Sequence, residues 1–253
     1  MQRVFITGAS SGLGAALALQ YARQGAQLGL LARRGDTLRQ LIASLPSPER
    51  HRAYAVDVCD HAALKNAAAD FIVHAGGIDV VIASAGVSYG TLSEHAEDLD
   101  AFARLIAINV TATVATFAPF IATMKNQGNG RLVGIGSVAG IRGLPGAEAY
   151  SASKAAVISY CESLRLELKP AGVKVVTITP GYIDTPMTRH NAYRMPFLMP
   201  ADKFAARAAR AIADGDSYRV IPWQMGVVAK LLRALPNAVY DRAFANAPHK
   251  ARN

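Results

Sequence analysis

The feature that most constrains the fold of this sequence is a regular alternation of short apolar runs with longer amphipathic or alanine-rich segments. Six apolar runs are predicted to be β-strands: residues 4–6, 28–31, 53–56, 80–83, 132–135 and 173–179. Strands that are apolar along their whole length are usually covered on both faces, which favours parallel pairing with right-handed helical crossovers. The pattern therefore predicts an α/β fold with a doubly wound, mainly parallel sheet flanked by helices.

Composition indicates a single main domain. Of the 253 residues, 51% are hydrophobic and 18% are charged, a balance that suits a well-packed globular protein. No Pro/Gly/Ser-rich linker, internal repeat or low-complexity block divides the sequence. We therefore predict one domain over residues 1–222, followed by a C-terminal extension over residues 223–253.

The charge balance narrows the classes of partner. Lys and Arg number 27 against 18 Asp and Glu, a net charge of +9, which suits nucleic acid, an anionic membrane surface or a phosphorylated small molecule. The basic residues are scattered, and the sequence has neither an aromatic-interleaved basic stretch nor a zinc-finger spacing. Nucleic acid is therefore not expected as a partner.

Several features bear on the compartment. The first residues enter a strand-like run directly, so a secretion signal is not expected. The longest uncharged stretch, residues 105–124, contains Asn109 and Pro119 and is predicted to be a buried helix rather than a membrane span. Cys59 and Cys161 are the only cysteines, and both are predicted to be inert core thiols, which favours a reducing compartment such as the cytoplasm.

The histidines show no metal-ligand spacing, so no metal is predicted.

A glycine-rich turn follows the first predicted strand directly and precedes a predicted helix. Gly8, Gly12 and Gly14 allow the backbone to turn tightly and to approach a pyrophosphate, whose charge the amide groups and dipole of a helix N-terminus stabilise. Ser10 and Ser11 can add hydroxyl donors. The alternative is a loop that simply requires positive φ, but this position in an α/β chain favours dinucleotide binding.

The end of the second predicted strand bears on which dinucleotide binds. Ala32, Arg33 and Arg34 stand there, where a dinucleotide fold often places an acid for the adenosine ribose. Two guanidinium groups could instead bind a 2′-phosphate through paired N–H donors, so we predict NADP(H) rather than NAD(H). The alternative is that both arginines are only solvated, and the nearby Asp36 is the feature that most weakens the prediction.

A series of motifs occurs along the chain in a defined order. They are Thr7-Gly8-x-x-x-Gly12-x-Gly14, Ser84-Ala85-Gly86, Asn109, Ser137, Tyr150-x-x-x-Lys154 and Pro180-Gly181. The series resembles that of the short-chain dehydrogenase/reductase family, in its compact single-domain branch, over about residues 3–220. The resemblance implies a Rossmann-type fold, hydride transfer with a nicotinamide cofactor, and a homodimer or homotetramer. Residues 1–222 would then form an NADP(H)-binding catalytic domain.

The resemblance also implies cofactor contacts beyond the glycine turn. Asp57 and Val58 are expected to lie against the adenine, and residues 84–86 are expected to line the cofactor cleft. The family's Asn at the first of these three positions is Ser84 here, which offers fewer hydrogen bonds. Further expected contacts are Leu13, Tyr150, Lys154, Pro180, Gly181, Ile183 and Thr185.

Tyr150 and Lys154 are the predicted proton-transfer pair. A carbonyl that accepts hydride needs a proton, whereas a free tyrosine has a pKa near ~10. Positions i and i+4 share one helix face, so the Lys154 ammonium should favour the Tyr150 phenolate and lower this pKa. By resemblance, Ser137 hydrogen-bonds the substrate oxygen and Asn109 holds a water that links Lys154 to solvent. A surface Tyr–Lys pair and a helix-capping Ser137 are the alternatives.

Residues 184–203 are predicted to form a lid over the substrate. Flexible methionines and aromatic residues suit an adaptable pocket for an apolar carbonyl compound, although packing against a partner subunit would need the same residues. The residues concerned are Met187, Tyr193, Met195, Phe197, Leu198 and Met199.

The extension is predicted to contain a basic amphipathic helix. Its apolar stripe consists of Val227, Val228, Leu231, Leu232 and Leu235, and its charged residues are Lys230, Arg233, Arg242, Lys250 and Arg252 against only Asp241. Such a segment could contact an anionic membrane surface peripherally, or it could pack on the protein's own core or on a partner.

The combined prediction is an NADP(H)-dependent oxidoreductase that transfers hydride between nicotinamide and a carbonyl or secondary alcohol, with an apolar or lipid-like substrate. One alternative is a non-catalytic NADPH-sensing or scaffold protein on the same fold. A nucleotide-sugar epimerase or dehydratase is less favoured, because only a short region follows Gly181.

Overall fold

The computed structural model describes residues 1–189, 191 and 193–245 and contains a seven-stranded sheet. The strands of this sheet are β1 (Arg3–Thr7), β2 (Gln27–Ala32), β3 (Arg52–Ala55), β4 (Val80–Ala83), β5 (Gly130–Ile135), β6 (Val173–Pro180) and β9 (Tyr218–Ile221). Their order is β3-β2-β1-β4-β5-β6-β9, and every neighbouring pair is parallel. A short separate pairing joins β7 (Ile183–Asp184) to β8 (Met199–Pro200).

Helices cover both faces of the sheet. They are α1 (Gly12–Arg23), α2 (Gly35–Ser44), α3 (His61–Ala75), α4 (Asp98–Ile106), α5 (Ala112–Gln127), α6 (Glu148–Leu168), α7 (Ala201–Asp214), α8 (Trp223–Ala234) and α9 (Asn237–Phe244). Successive strand side chains point to opposite faces. Val4 and Ile6 therefore pack with α1, α2 and α7, whereas Phe5 packs with α3, α5 and α6. The predicted doubly wound parallel sheet is confirmed.

The long apolar helical stretch packs against the sheet through one face. Helices α4 and α5 run on into each other through a π-helical segment, Ala107–Thr111. By length and composition alone, the stretch Asp98–Gln127 could cross a membrane. Phe117, Phe120 and Met124 are fully buried in the core, as predicted for a core helix.

Two sequence predictions about the core are wrong or incomplete. Cys59 is exposed, whereas Cys161 is buried as predicted. Cys59 lies in the turn after β3, where its amide donates to the Asp57 carboxylate at 3.0 Å, so it does not belong to an apolar strand or helix. Strand β9 was not predicted, because Tyr218 and Arg219 are exposed on this edge strand and interrupt any apolar run.

The extension forms two helices in the described residues, and most of its apolar stripe faces outward. Helix α8 buries Met225, Gly226 and Ala229, whereas Val227 and Leu231 of the predicted stripe are exposed. Helix α8 therefore packs on the protein's own core, but through a different face from the predicted stripe, of which only Leu232 and Leu235 are partly buried. The basic residues Lys250 and Arg252 lie outside the described residues, as do positions 190 and 192 of the predicted lid.

Candidate functional site

A cleft of about 300 Å³ lies at the carboxyl ends of the central strands. Every residue predicted to bind the cofactor or to take part in catalysis lines this cleft, except Asn109. The loops that follow β1, β2, β4, β5 and β6 meet there because the carboxyl ends of parallel strands share one edge of the sheet. Residues as far apart in sequence as Gly8 and Thr185 are thereby brought together.

The glycine turn packs closely against the loop after β4. Gly8 has a φ of +68°, and a Cβ there would lie 2.7 Å from the Cα of Ala85. A Cβ on Gly14 would collide with the carbonyl oxygen of Gly8. Ser11, the N-cap of α1, makes no side-chain cap hydrogen bond in the described structure. The first-turn amides of α1 can therefore bind an anion, and the turn fits a pyrophosphate.

Two arginines follow β2 and line the cleft, three strands across the sheet from β5, which precedes Ser137. Arg34 donates to the hydroxyl of Ser10 at 3.0 Å, and Arg33 lies 3.9 Å from a carboxylate oxygen of Asp57. Asp36 forms an ion pair with Arg39 on the first turns of α2 and is outside the described cleft lining. The acid that most weakened the NADP(H) prediction is thus engaged away from the cleft.

Tyr150 and Ser137 hydrogen-bond each other within the cleft. Burial raises the pKa of the Tyr150 phenol, and the hydrogen bond with Ser137 opposes this effect. The net effect raises the pKa of Tyr150, whereas the sequence analysis predicted that Lys154 would lower it. Ser137 also accepts a hydrogen bond from the amide of Ala139 at 3.2 Å and caps the short helical turn Val138–Gly140. Ser137 therefore both caps this turn and lines the cleft.

Lys154 is a buried ammonium on the same face of α6 as Tyr150. Its Nζ donates to the carbonyl oxygen of Ile135 at 2.9 Å and lies 5.9 Å from the centre of the Tyr150 ring. Only 6% of the residue is exposed. Burial lowers the pKa of Lys154 from 10.5 to about 8. The ammonium is thus predominantly charged at neutral pH, and the surface-pair alternative is wrong for Lys154.

Asn109 lies in the π-helical segment and joins two parts of the site. Its Oδ1 accepts from the amide of Val87 at 2.9 Å. Its Nδ2 donates to the carbonyl oxygen of Val87 at 3.0 Å and to the hydroxyl of Ser153 at 3.0 Å. Since both amide protons have protein partners, the side chain holds the loop after β4 against α6. The predicted water relay stays a prediction.

The predicted lid divides between the core and the cleft. Met199 is a core residue because the β7–β8 pairing draws it under α7, so its assignment to the substrate lid is wrong. Met187 lines the cleft, and Phe197 and Leu198 expose about half of their surface. Tyr193 packs edge-on against Tyr182, with ring centres 6.2 Å apart.

Other cleft residues were not identified from the sequence. They are Val56, Val87, Ile108, Ile135, Gly136, Pro186 and Thr188. Val56 and Gly136 directly follow β3 and β5, so their position at the carboxyl end of a predicted strand was the available signal. Ser153 was also missed. It hydrogen-bonds the Tyr150 carbonyl at 2.8 Å as well as Asn109, and its spacing of three residues from Tyr150 was the signal.

Comparison with known proteins decides the family. The family model for short chain dehydrogenases matches residues 2–195. The chain belongs to the short-chain dehydrogenase/reductase family. An uncharacterized oxidoreductase of Myxococcus xanthus is 36% identical over 247 residues, which cover 94% of each chain. The resemblance inferred from the motif series is confirmed, and the chain is an oxidoreductase of this family.

Two further relatives concern the fold and the cofactor. The solved structure of a short-chain dehydrogenase from Sphingobium yanoikuyae in complex with NADPH has a TM-score of 0.80 and 26% identity, covering 98% of this chain and 97% of that one. A 2-dehydro-3-deoxy-L-rhamnonate dehydrogenase (NAD(+)) of a Sphingomonas strain is 36% identical over 182 residues, 72% of each protein. The Rossmann-type fold of this short-chain dehydrogenase/reductase is confirmed.

The buried ammonium has a predictable effect on stability. Lowering the pKa of Lys154 from 10.5 to about 8 costs the folded state about 3 kcal/mol at neutral pH, since each pKa unit corresponds to ~1.4 kcal/mol. Lys154→Met should therefore raise the free energy of unfolding at neutral pH by about 1–3 kcal/mol, because the lost bond to Ile135 offsets part of the gain. Thermal unfolding followed by circular dichroism, without cofactor, measures this change.

The stability difference between Lys154→Met and the wild type should decrease as the pH rises. Between about pH 8 and pH 10.5 the unfolded state retains the Lys154 proton longer than the folded state does, so the stability advantage of Lys154→Met should shrink as pH rises through this window. Lys65→Met, at an exposed position of α3, is the matched control and should show no such change. A Lys154→Met protein less stable than wild type at neutral pH would contradict the argument.

Proposed function

We propose that this short-chain dehydrogenase/reductase is an NADP(H)-dependent enzyme that transfers a hydride between nicotinamide and a carbonyl or secondary alcohol of an apolar or lipid-like compound. The observation that carries the proposal is one cleft that contains both the glycine turn and Tyr150, hydrogen-bonded to Ser137 and close to the Lys154 ammonium. This arrangement unites an anion-binding turn with a proton donor.

Tyr150 donates the proton in carbonyl reduction and accepts it in alcohol oxidation. Because burial raises its pKa, the phenol is protonated at neutral pH and is suited to donate its proton to a carbonyl oxygen that gains negative charge. Ser137 lies beside it, oriented by the Ala139 amide, and supplies a second donor to the same oxygen. In the reverse direction the phenolate accepts the alcohol proton, and the positive charge of Lys154 stabilises that phenolate.

The cofactor would be held by both ends of the cleft. The glycine turn and the first-turn amides of α1 would hold the pyrophosphate, and Arg34 with Ser10 would bind the 2′-phosphate. Arg33 would contribute less, because the Asp57 carboxylate lies nearby. When bound, the nicotinamide supplies or accepts the hydride. The Lys154 ammonium has three donors, of which the Ile135 carbonyl takes one, so it can also bind ribose hydroxyl groups.

The substrate side of the cleft supports an apolar compound. Met187 lines the cleft. The Tyr182–Tyr193 pair lies nearby, since Tyr150 is close enough to Tyr193 to help raise the pKa of Tyr193. Flexible thioether and aromatic side chains favour a large apolar carbonyl compound over a small charged one.

Tyr150→Phe should abolish most turnover while leaving the fold intact. The change removes the proton donor but keeps the ring, so carbonyl reduction should slow by about a hundredfold or more, whereas NADPH affinity should change by less than about tenfold. A panel of ketones and alcohols, followed at the nicotinamide absorbance, measures turnover, and fluorescence titration measures NADPH binding.

Tyr160→Phe is the matched control for this experiment. Tyr160 lies on the same helix and stacks on Phe117 with ring centres 6.3 Å apart, a contact that a phenylalanine ring can keep, so this variant should turn over like the wild type. If Tyr150→Phe also retained wild-type turnover, Tyr150 would not be the proton donor. A wild type that binds NADPH but turns over no compound of the panel would favour the non-catalytic alternative.

Arg34→Ala should weaken NADPH binding selectively. Loss of its charge-assisted contact with the 2′-phosphate should raise the KM for NADPH by about tenfold or more, with the KM for NADH within about twofold of the wild-type value. Arg33→Ala should have the smaller effect. Arg39→Ala is the control, because Arg39 pairs with Asp36 outside the cleft. Equal losses for NADPH and NADH in the Arg33 and Arg34 variants would remove the 2′-phosphate assignment.

A further inference from the structure

Helix α8 exposes most of its large apolar residues and buries Met225 with two small residues. Trp223, Val227 and Leu231 follow each other at four-residue intervals on one face and are 65%, 48% and 64% exposed. The opposite face packs on the protein through Met225, Gly226 and Ala229. We name Trp223, Val227, Val228 and Leu231 the outer face of α8. An exposed apolar surface of this kind marks a contact with another molecule or with a membrane.

The outer face is part of a well-anchored helix. Arg142 donates to the carbonyl oxygens of Leu232 and Leu235, the latter at 2.8 Å, and thus caps the C-terminus of α8. Its guanidinium also lies 3.8 Å from the centre of the Tyr240 ring, and the Tyr240 hydroxyl donates to Gly143 at 2.6 Å. Helices α8 and α9 are therefore fixed to the loop that follows Ser137.

The outer face also lies on the helix that borders the cleft. A Cβ on Gly181, which lines the cleft, would lie 2.6 Å from the Cγ of Met225 on the inner face of α8. A molecule or membrane bound to the outer face would therefore be one helix diameter away from the cleft wall, about 10 Å.

The charges around the outer face are mostly basic, since Trp223 shares a pocket with Arg207, Arg210 and Arg219 against Asp214 and Asp216. Helix α8 contains Lys230 and Arg233 and has no acidic residue. Across the whole extension the sequence has five Lys and Arg against one acid. Anionic lipid attracts such basic residues, whose long side chains can reach the headgroups while apolar neighbours enter the interface. Tryptophan is enriched at this depth of a bilayer.

A second copy of the chain fits the outer face less well. A symmetric dimer brings the same surface of each copy together, so Lys230 and Arg233 would meet an identical acid-free helix. Such a contact would carry repulsion between like charges. From the exposed apolar face, its fixed position and its mainly basic surroundings, we infer that the outer face of α8 docks peripherally on an anionic lipid bilayer.

The single tryptophan of the chain, Trp223, reports directly on this docking. Its fluorescence is measured with the full-length protein and vesicles of phosphatidylcholine, with or without phosphatidylglycerol. The emission should move to shorter wavelength with the anionic vesicles and change little with phosphatidylcholine alone, because both the apolar face and the basic residues contribute.

Substitutions separate the two contributions and keep the reporter. Leu231→Gln should weaken vesicle binding by about tenfold or more, and Lys230→Gln should reduce the preference for anionic vesicles by about fivefold. Leu166→Gln is the matched control, because Leu166 on α6 is 63% exposed and lies outside the extension. It should bind vesicles like the wild type.

Two results would overturn the inference. One is an emission spectrum that anionic vesicles leave unchanged, with no co-sedimentation of the protein. The other is an emission shift that appears on raising the protein concentration without lipid, together with a dimer in analytical ultracentrifugation that Leu231→Gln disrupts, which would assign the face to a second copy. Because neither readout uses turnover, the result is independent of the proposed enzymatic function.

Discussion

A buried ammonium organises the cleft. Lys154 extends from α6 to the carbonyl oxygen of Ile135 at the end of β5, and burial there costs the folded state free energy. Asn109 and Ser153 link α6 to the loop after β4, so the helix that carries Lys154 is held against the sheet edge. Such a free-energy cost is expected at a functional site, where residues needed for the reaction can lower the stability of the fold.

Much of the fold could be predicted because its central strands are buried on both faces. The continuous apolar runs of β1, β2, β4, β5 and β6 follow from this burial. The prediction failed for some segments that are less buried, although the largely exposed β3 was predicted. Strand β9 is an edge strand with Tyr218 and Arg219 exposed, and Cys59 lies in an exposed turn. Met199 reads like the other lid methionines, and only the pairing of β7 with β8 places it in the core.

The site could be located from its motifs, but its electrostatics could not. Sequence spacing places Tyr150 and Lys154 on one helix face, and the fold confirms that both line one cleft. The direction of the Tyr150 pKa depends on how deeply the phenol is buried, which no local spacing reveals. Likewise, the partners of the Asn109 amide come from the loop after β4 and from α6, two segments that only the tertiary structure brings together.

We propose that the Lys154 charge, 5.9 Å from the Tyr150 ring, opposes the effect of burial on Tyr150 and makes the phenolate accessible during alcohol oxidation. The most direct test is the pH dependence of oxidation at saturating NADP⁺, compared between wild type, Lys154→Arg and Lys154→Met. Loss of a positive charge near the ring should move the midpoint of the Lys154→Met profile upward by about 1–3 pH units, whereas Lys154→Arg should remain near the wild-type midpoint. The same midpoint in all three proteins would contradict the account.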